Sequence, residues 1–388
     1  MQAKRWQLRT PHSRLSAAPF GAILARVKLW HAIALLLVAA GAAAQEPEAL
    51  PPDLLQPIVS QYEEGFRGLT SAPPRRVHAP EPMTNLVAVA RAGEPPLKPK
   101  VRENVALQIA LDRRGFGSGL IDGLPGVKTR QALLDCRYSQ GTNVLEDAVA
   151  RQSLLDDPAP VFVMYLVTTN DLAQVGDAPK DWEAAAELPA MACRSMAELL
   201  SEKFHAGPGF LKQINPAVTN WESGLVGRRV CVPNVRPEEV KFDVKQITID
   251  TQCFRLRGYD AKGRMTCSFP CSIARDRTKV PVGELKVSNV APHPNYTFDP
   301  ANFPESARAQ EIGHKLILPP GPRNPVGVYW VSLSLPGYGI HGTPHPESIG
   351  NMESHGCFRL CNWDAHTLGQ ALYLNTPVYL DAPPRIMK

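Results

Sequence analysis

The sequence predicts a multidomain chain: a small helical bundle, a small α+β unit, and a mainly β C-terminal domain carrying one short helix. Three observations predict it. Apolar residues recur at helical spacing between 101 and 153, then switch to a period of two beyond residue 241. Prolines crowd residues 45–98 (Pro51-Pro52, Pro73-Pro74, Pro80, Pro82, Pro95-Pro96), where they deny the backbone helix continuity and ladder bonds, so this stretch reads as a semi-extended linker. Finally, 388 residues with 44% hydrophobic and 20% charged side chains form an ordinary globular composition, long enough for two or three domains.

The first 44 residues hold Lys4, Arg5, Arg9, Arg14, Arg26 and Lys28 and no acid. A short apolar run from Ala32 to Ala40 follows, then Ala42-Ala43-Ala44 before polar Gln45-Glu46. This pattern predicts a cleavable export signal over 1–44, with the mature chain beginning near Gln45. The alternative is an uncleaved anchor, but the run falls short of the ~20 residues that span a bilayer. No other stretch reads as a membrane span. The formal charge of +5 belongs to this leader: removing its six basic residues from the 42 leaves 36 against 37 acidic ones. A nucleic-acid footprint is thereby excluded.

Eight cysteines lie beyond the leader, and in an exported chain most should pair. Cys193 with Cys231, and Cys253 with Cys267 or Cys271 across a turn at Asp260-Ala261-Lys262-Gly263, are the expected bridges; Cys136 and Cys361 are unassigned. A regulatory Cys357–Cys361 disulfide is a further expectation from their spacing.

Over 99–153, Val105, Leu107, Ile109 and Leu111 mark one helix, Gly115 to Gly126 interrupts, and Thr129 is the expected cap of a second helix with Ala132, Leu133 and Leu134. Gly115, Gly119, Asp122-Gly123, Gly126, Thr129-Arg130 and Ala132-Leu133 together resemble the peptidoglycan-binding type 1 domain. Asp135-Cys136 stands where that family usually has an aromatic-glutamine pair. Over 160–236, a strand at Val161 to Thr169, a helix at Met196 to His205 with the capping-box spacing Ser195 to Glu198, a helix at Phe210 to Ile214 and a strand at Val230 to Val232 are expected. The Asn215-Pro216 and Val232-Pro233-Asn234 ends make this unit similar to a degenerate LysM module, which implies glycan binding; the alternative is a spacer that has lost its ligand.

From 241 to 383, strands are expected at 247–249, 253–256, 266–269, 284–287, 328–333, 339–341 and 378–380. A helix is expected from Trp363 to Tyr373 with Asn362 as its cap. Within this unit Ser354-His355-Gly356-Cys357-Phe358-Arg359-Leu360 follows His341-Gly342-Thr343 and places a cysteine near two histidines with glycines beside both. A thiol becomes a useful nucleophile when a base takes its proton and backbone N–H groups face the developing oxyanion. That chemistry is acyl transfer.

The surrounding motifs, Pro281-Val282-Gly283-Glu284, Gly321-Pro322 with Asn324-Pro325 and Gly327, Tyr338 with Ile340-His341-Gly342-Thr343, Ser348-Ile349-Gly350, and the heptapeptide, resemble the YkuD-type L,D-transpeptidase catalytic domain. The resemblance implies Cys357 as nucleophile and His341 as base, oriented by the backbone carbonyl of Gly342. His355 is the competing base, assigned to loop or substrate positioning and to the oxyanion site. The expected oxyanion donors are the N–H groups of Gly356 and Cys357. Arg359 is a candidate for a substrate carboxylate, with a structural salt bridge as the alternative. Tyr338, Thr343 and Ser354 are candidate substrate contacts, although Tyr338 and Trp330 equally suit a core. His345 and His366 read as surface histidines.

No cofactor is implied. Zinc on His341, His345, His355 and Cys357 is the rival chemistry, disfavoured because Pro344 and Pro346 deny His341 and His345 a helix. The expected partners are peptidoglycan stem peptides and glycan, in the periplasm, with a stem-peptide amine or the lysine of an outer-membrane protein as acyl acceptor. An L,D-carboxypeptidase and a non-catalytic wall-binding protein are the alternatives.

Overall fold

Pro99 has no N–H to lose and a φ already suited to a helix start, and α1 (Pro99–Asp112) begins there. The computed structural model describes residues 86–88, 94–141, 147–221, 224–235, 242–354 and 356–381, all within one structural unit of the chain. The expected leader and nearly all of the proline-rich linker lie outside the described residues.

The second helix, α2 (Val127–Ser139), is capped by Gly126 backbone, and a third, α3 (Asp147–Leu155), follows. Thr129 is not the cap: it sits inside the helix, where its hydroxyl accepts from Gln108 Nε2 at 3.4 Å. Leu107, Leu111, Phe116, Ala132, Leu133 and Leu154 bury against one another, and the same cluster takes in Tyr259 and Met265 of the C-terminal sheet.

Three strands, β1 (Leu86–Ala88), β2 (Phe162–Leu166) and β3 (Arg229–Pro233), pair antiparallel in that order. Between β2 and β3 run α4 (Thr169–Leu172), α5 (Trp182–Ala186), α6 (Met196–Phe204) and α7 (Pro208–Ile214). Ser195 Oγ accepts the Glu198 N–H at 3.2 Å, but the Glu198 carboxylate takes Arg194 N–H and pairs with Arg323, so only half of the anticipated capping box forms. Asn215 ends α7 and ties it to β3, donating to Cys231 C=O and accepting Cys231 N–H, each at 2.7 Å.

The period-two sequence forms β4 (Gln246–Asp250), β5 (Arg255–Tyr259), β6 (Met265–Pro270), β7 (Ile273–Ala274), β8 (Glu284–Pro292), β9 (Tyr296–Phe298), β10 (Leu316–Leu318), β11 (Tyr329–Leu333), β12 (Gly339–His341), β13 (Met352–Ser354), β14 (Phe358–Arg359) and β15 (Pro377–Leu380). Eight of them make one sheet in the order β14-β12-β11-β8-β15-β4-β5-β6, while β9 pairs with β10 and β7 with β13. A short helix, α8 (Ala307–Ile312), precedes β10, and α9 (Asn362–Ala371) packs on the sheet against β11. Thus α9 opens one residue before the expected start, and Asn362 makes no side-chain cap.

The eight cysteines are all free. Cys271 N–H bonds Phe254 C=O, yet Cys271 points into the core while Cys253 is exposed on the turn, so the expected bridge has its two thiols on opposite sides. Cys361 is buried with Ile349 and Trp363, away from the partly exposed Cys357. His366 is a second correction: it is half-buried, edge-on to Tyr329 and bonded to Gln370.

An unpaired sheet edge invites pairing with other chains. Here the β6 edge is covered by residues 115–117, with Gly117 N–H donating to Ser268 C=O (2.8 Å) and Ser268 N–H to Gly115 C=O (2.9 Å). Asp135, at the departure from the peptidoglycan-binding pattern, reaches across from α2. It accepts from Ser268 Oγ (2.6 Å) and Arg257 Nε (3.0 Å) and faces Arg255, which is fully buried. Asp135→Ala leaves the buried Arg255 guanidinium without its carboxylate, and we expect a loss of about 3–5 kcal/mol in urea unfolding of the full chain.

Candidate active site

β12 is the hub of the site. It pairs antiparallel with β11, setting Trp330 opposite His341, and parallel with β14, setting Arg359 opposite His341. Residues paired in register share a face, and so do residues two apart on one strand. Cys357 precedes β14 by one residue, so the backbone register brings Cys357, His341, Arg359 and Trp330 to one side of the sheet.

His341 is 4% exposed. Its Nδ1–H donates to the Gly342 carbonyl at 2.6 Å, because a carbonyl can only accept. That bond fixes the tautomer and leaves Nε2 as a lone pair. The imidazole stacks on Trp330, with ring centroids 5.3 Å apart and planes at 21°. Trp330 is itself held by its Nε1–H on Ser332 Oγ (2.8 Å).

The Cys357 thiol is partly exposed and lies 3.5 Å from the Gly337 carbonyl. Ser354 Oγ donates to the Cys357 carbonyl (2.6 Å) and accepts the Gly356 N–H (3.2 Å), which closes the turn before the thiol. The expected oxyanion donor Gly356 therefore has its N–H on Ser354 in this structure, and Ser354 is buried as a turn-former. Tyr338 packs its ring against Gly356 and donates its hydroxyl to Lys279 C=O at 2.7 Å. Thr343 is buried, with its hydroxyl accepting His345 N–H at 3.3 Å. His345 is exposed beside Glu347. His355 lies outside the described residues. Among the described residues no three His, Cys, Asp or Glu side chains converge as metal ligands.

The sequence model of the YkuD family, described as the L,D-transpeptidase catalytic domain, matches residues 245–380. The putative L,D-transpeptidase YkuD of Bacillus licheniformis is 27% identical over 182 residues, covering 47% of this chain and 90% of that protein. The probable L,D-transpeptidase YcfS of Escherichia coli is 28% identical over 200 residues, covering 48% of this chain and 61% of that protein. Residues 245–380 are a YkuD-family L,D-transpeptidase catalytic domain. The solved catalytic domain of the Enterococcus faecium L,D-transpeptidase acylated by ertapenem aligns with 36% of this chain and 98% of its own, at 20% identity and a TM-score of 0.27.

Electrostatics in the L,D-transpeptidase domain disfavour the charged forms of both His341 and Cys357. Burial, then the Arg359 guanidinium, pull His341 down to about 3 against the opposing Gly342 bond. Burial pushes the Cys357 thiol up to about 11, opposed by a Gly339 backbone hydrogen bond and by Arg359. At neutral pH these shifts favour the thiol at Cys357 and the neutral imidazole at His341.

Arg359 Nε is buried with no hydrogen-bond partner, and no acidic side chain pairs with Arg359 among the described residues. Among the described residues the expected alternative, a structural salt bridge of Arg359, is not formed.

Sequence reasoning missed Asn362 as part of the site. Its Oδ1 accepts Val328 N–H at 3.3 Å and its Nδ2 donates to Pro322 C=O at 3.0 Å, and a Cβ added to either Gly327 (φ +66°) or Gly342 would overlap Oδ1. The paired glycines were a readable signal of close backbone approach, although their common neighbour was not.

Proposed function

We propose that this chain is an exported peptidoglycan L,D-transpeptidase with Cys357 as nucleophile and His341 as base. The observation that carries the reading is a thiol and a neutral, Nδ1-anchored imidazole on one face of adjacent strands inside a YkuD domain. His341 Nε2 takes the thiol proton as Sγ attacks the carbonyl that joins the third residue of a donor stem peptide to its terminal D-alanine. The tetrahedral oxyanion faces the Cys357 N–H, with the Gly356 N–H shared with Ser354 Oγ through their long bond. On collapse the C–N bond breaks, the proton passes from His341 to the departing D-alanine amine, and a thioester remains on Cys357.

An acceptor amine then attacks the thioester, giving up a proton to His341 and releasing the thiol. The side-chain amine of another stem gives a 3-3 cross-link, a lysine of an outer-membrane protein gives an anchored protein, and water gives L,D-carboxypeptidase trimming. Arg359, whose Nε has no hydrogen-bond partner among the described residues, is assigned to a donor carboxylate, with Tyr338 lining the approach to the thiol. We assign 99–153 and 160–236 as wall-facing modules and place the enzyme in the periplasm. Among the described residues no helix is long and apolar enough to cross a membrane.

Incubation of the full chain with purified tetrapeptide muropeptides, analysed by mass spectrometry, tests the reading. We expect loss of one D-alanine per turnover, with dimers if an amine is the acceptor and tripeptides if water is. Folded protein that releases no D-alanine would sink the enzymatic reading and favour the wall-binding alternative.

A further inference from the structure

We infer that Asn362 is a positioning residue for His341, and that Glu202 of the α+β unit holds Asn362 in place, so that reactivity at Cys357 depends on the docking of that unit. The inference rests on the reading of His341 as the base.

Asn362 is 1% exposed and opens α9 directly behind β12. Its amide is wedged between two backbones: Cβ atoms on Gly327 and on Gly342 would both overlap Oδ1, and Val328 N–H donates to the same oxygen. Gly342 is the residue whose carbonyl receives the His341 Nδ1–H. Its own N–H donates to Tyr329 C=O at 3.2 Å, so this peptide is held by β11 on one side and by the Asn362 amide on the other. A shift of Asn362 therefore moves the acceptor that sets the tautomer and the ring plane of His341.

The amide is anchored by the α+β unit in two ways. Glu202, on α6, hydrogen-bonds the Asn362 side chain. Pro322, whose carbonyl takes the Asn362 Nδ2–H, lies in a strip that the same unit grips. There Met191 N–H donates to Pro320 C=O (2.9 Å), Arg323 N–H donates to Met191 C=O (3.1 Å), and Arg323 pairs with Glu198 at 2.7 Å. Gly321 takes a φ of +146° at this strip, and a Cβ there would overlap the Met191 backbone, so the approach is built into the sequence. One residue beyond Asn362, Trp363 stacks on His205 of the same unit, with centroids 4.9 Å apart and planes at 8°. The α+β unit thus touches Asn362, the residues on either side of its carbonyl partner, and its helical neighbour.

Support of this kind matters because reacting groups tolerate little misplacement; about 1 Å can cost 10²-fold in rate. The full chain and its Glu202→Ala, Glu202→Gln, Asn362→Ala and His341→Ala variants are compared by three measurements. These are the rate of covalent adduct formation with a carbapenem, thermal unfolding, and the ¹⁵N NMR signature of the His341 tautomer without ligand. Glu202→Ala is expected to slow acylation about 10-fold and Asn362→Ala about 10²-fold, with loss of the Nδ1–H signature in both. Glu202→Gln, whose amide oxygen still accepts from Asn362, is expected to restore rate and signature, which a purely structural role would not require. Wild-type rates and an unchanged tautomer in Glu202→Ala and Asn362→Ala overturn this inference with the base reading intact. So does a rate loss that follows the melting temperature and is not rescued by Gln. His341→Ala acylating at the wild-type rate overturns the base reading instead, and the tautomer signal separates the two because it needs no reaction.

Discussion

Replacing Cys357 by alanine removes the proposed nucleophile, so carbapenem adducts are expected to disappear from the intact-mass spectrum and D-alanine release to fall on the order of 10⁴–10⁶-fold. The substitution is mild for the fold: Cys357 is partly exposed, and its turn is closed by Ser354 Oγ through the backbone carbonyl of 357 and the N–H of Gly356, which alanine keeps. An unchanged melting temperature with no adduct is the expected pairing. Adduct retained in Cys357→Ala would place the nucleophile elsewhere; of the other seven cysteines six are buried and Cys253 is exposed, so Cys253 is the first site to map.

His341→Ala is expected to lower acylation by about 10²–10⁴-fold and, more tellingly, to change its pH dependence. In the wild type the imidazole stays neutral until the pH falls to about 3, so the rate should run level through the region near 6.5 where an ordinary histidine titrates, and fall only in strong acid. Without the base only the thiolate reacts. With the thiol held at about 11, the variant's rate should rise about tenfold per pH unit from neutrality upward. A wild-type inflection near 6.5 would contradict the buried, Arg359-flanked imidazole. The sign for stability follows the same group: between about 6.5 and about 3 the unfolded chain binds a proton that folded His341 refuses, so stability falls as the pH drops through that window.

The two N-terminal units are more than neighbours of the L,D-transpeptidase domain. α2 supplies Asp135 to a fully buried arginine of β5, and the backbone of 115–117 completes the β6 edge. The α+β unit grips the 319–327 turn next to β11. Experiments on this enzyme are therefore best read on the full chain.

Much of the strand framework was legible because β4, β6, β11, β12 and β15 fall where short period-two or β-branched and aromatic runs stand; only β11 among them buries alternate residues, and β4, β6 and β12 are buried almost throughout. The hairpin at Asp260 to Gly263 was legible for a similarly local reason, as Gly263 takes a φ of +74°. Disulfides were not legible, since spacing says nothing about which side of a strand each thiol faces: Cys271 points inward and Cys253 outward. Asn362 was misread as a helix cap because its residue type and position fit one, whereas its amide is held by Val328, Pro322 and Glu202, which are distant in sequence.

By itself the sequence determined the chemistry available at this site: a thiol, an imidazole followed by a glycine carbonyl, and a guanidinium two residues beyond the thiol, all set by residue identity and local spacing. Only the tertiary structure decided their states. Register between β11, β12 and β14 puts Trp330 and Arg359 against His341, and burial with the Arg359 guanidinium pulls a residue that ordinarily titrates near neutrality down to about 3, which leaves its imidazole neutral at physiological pH.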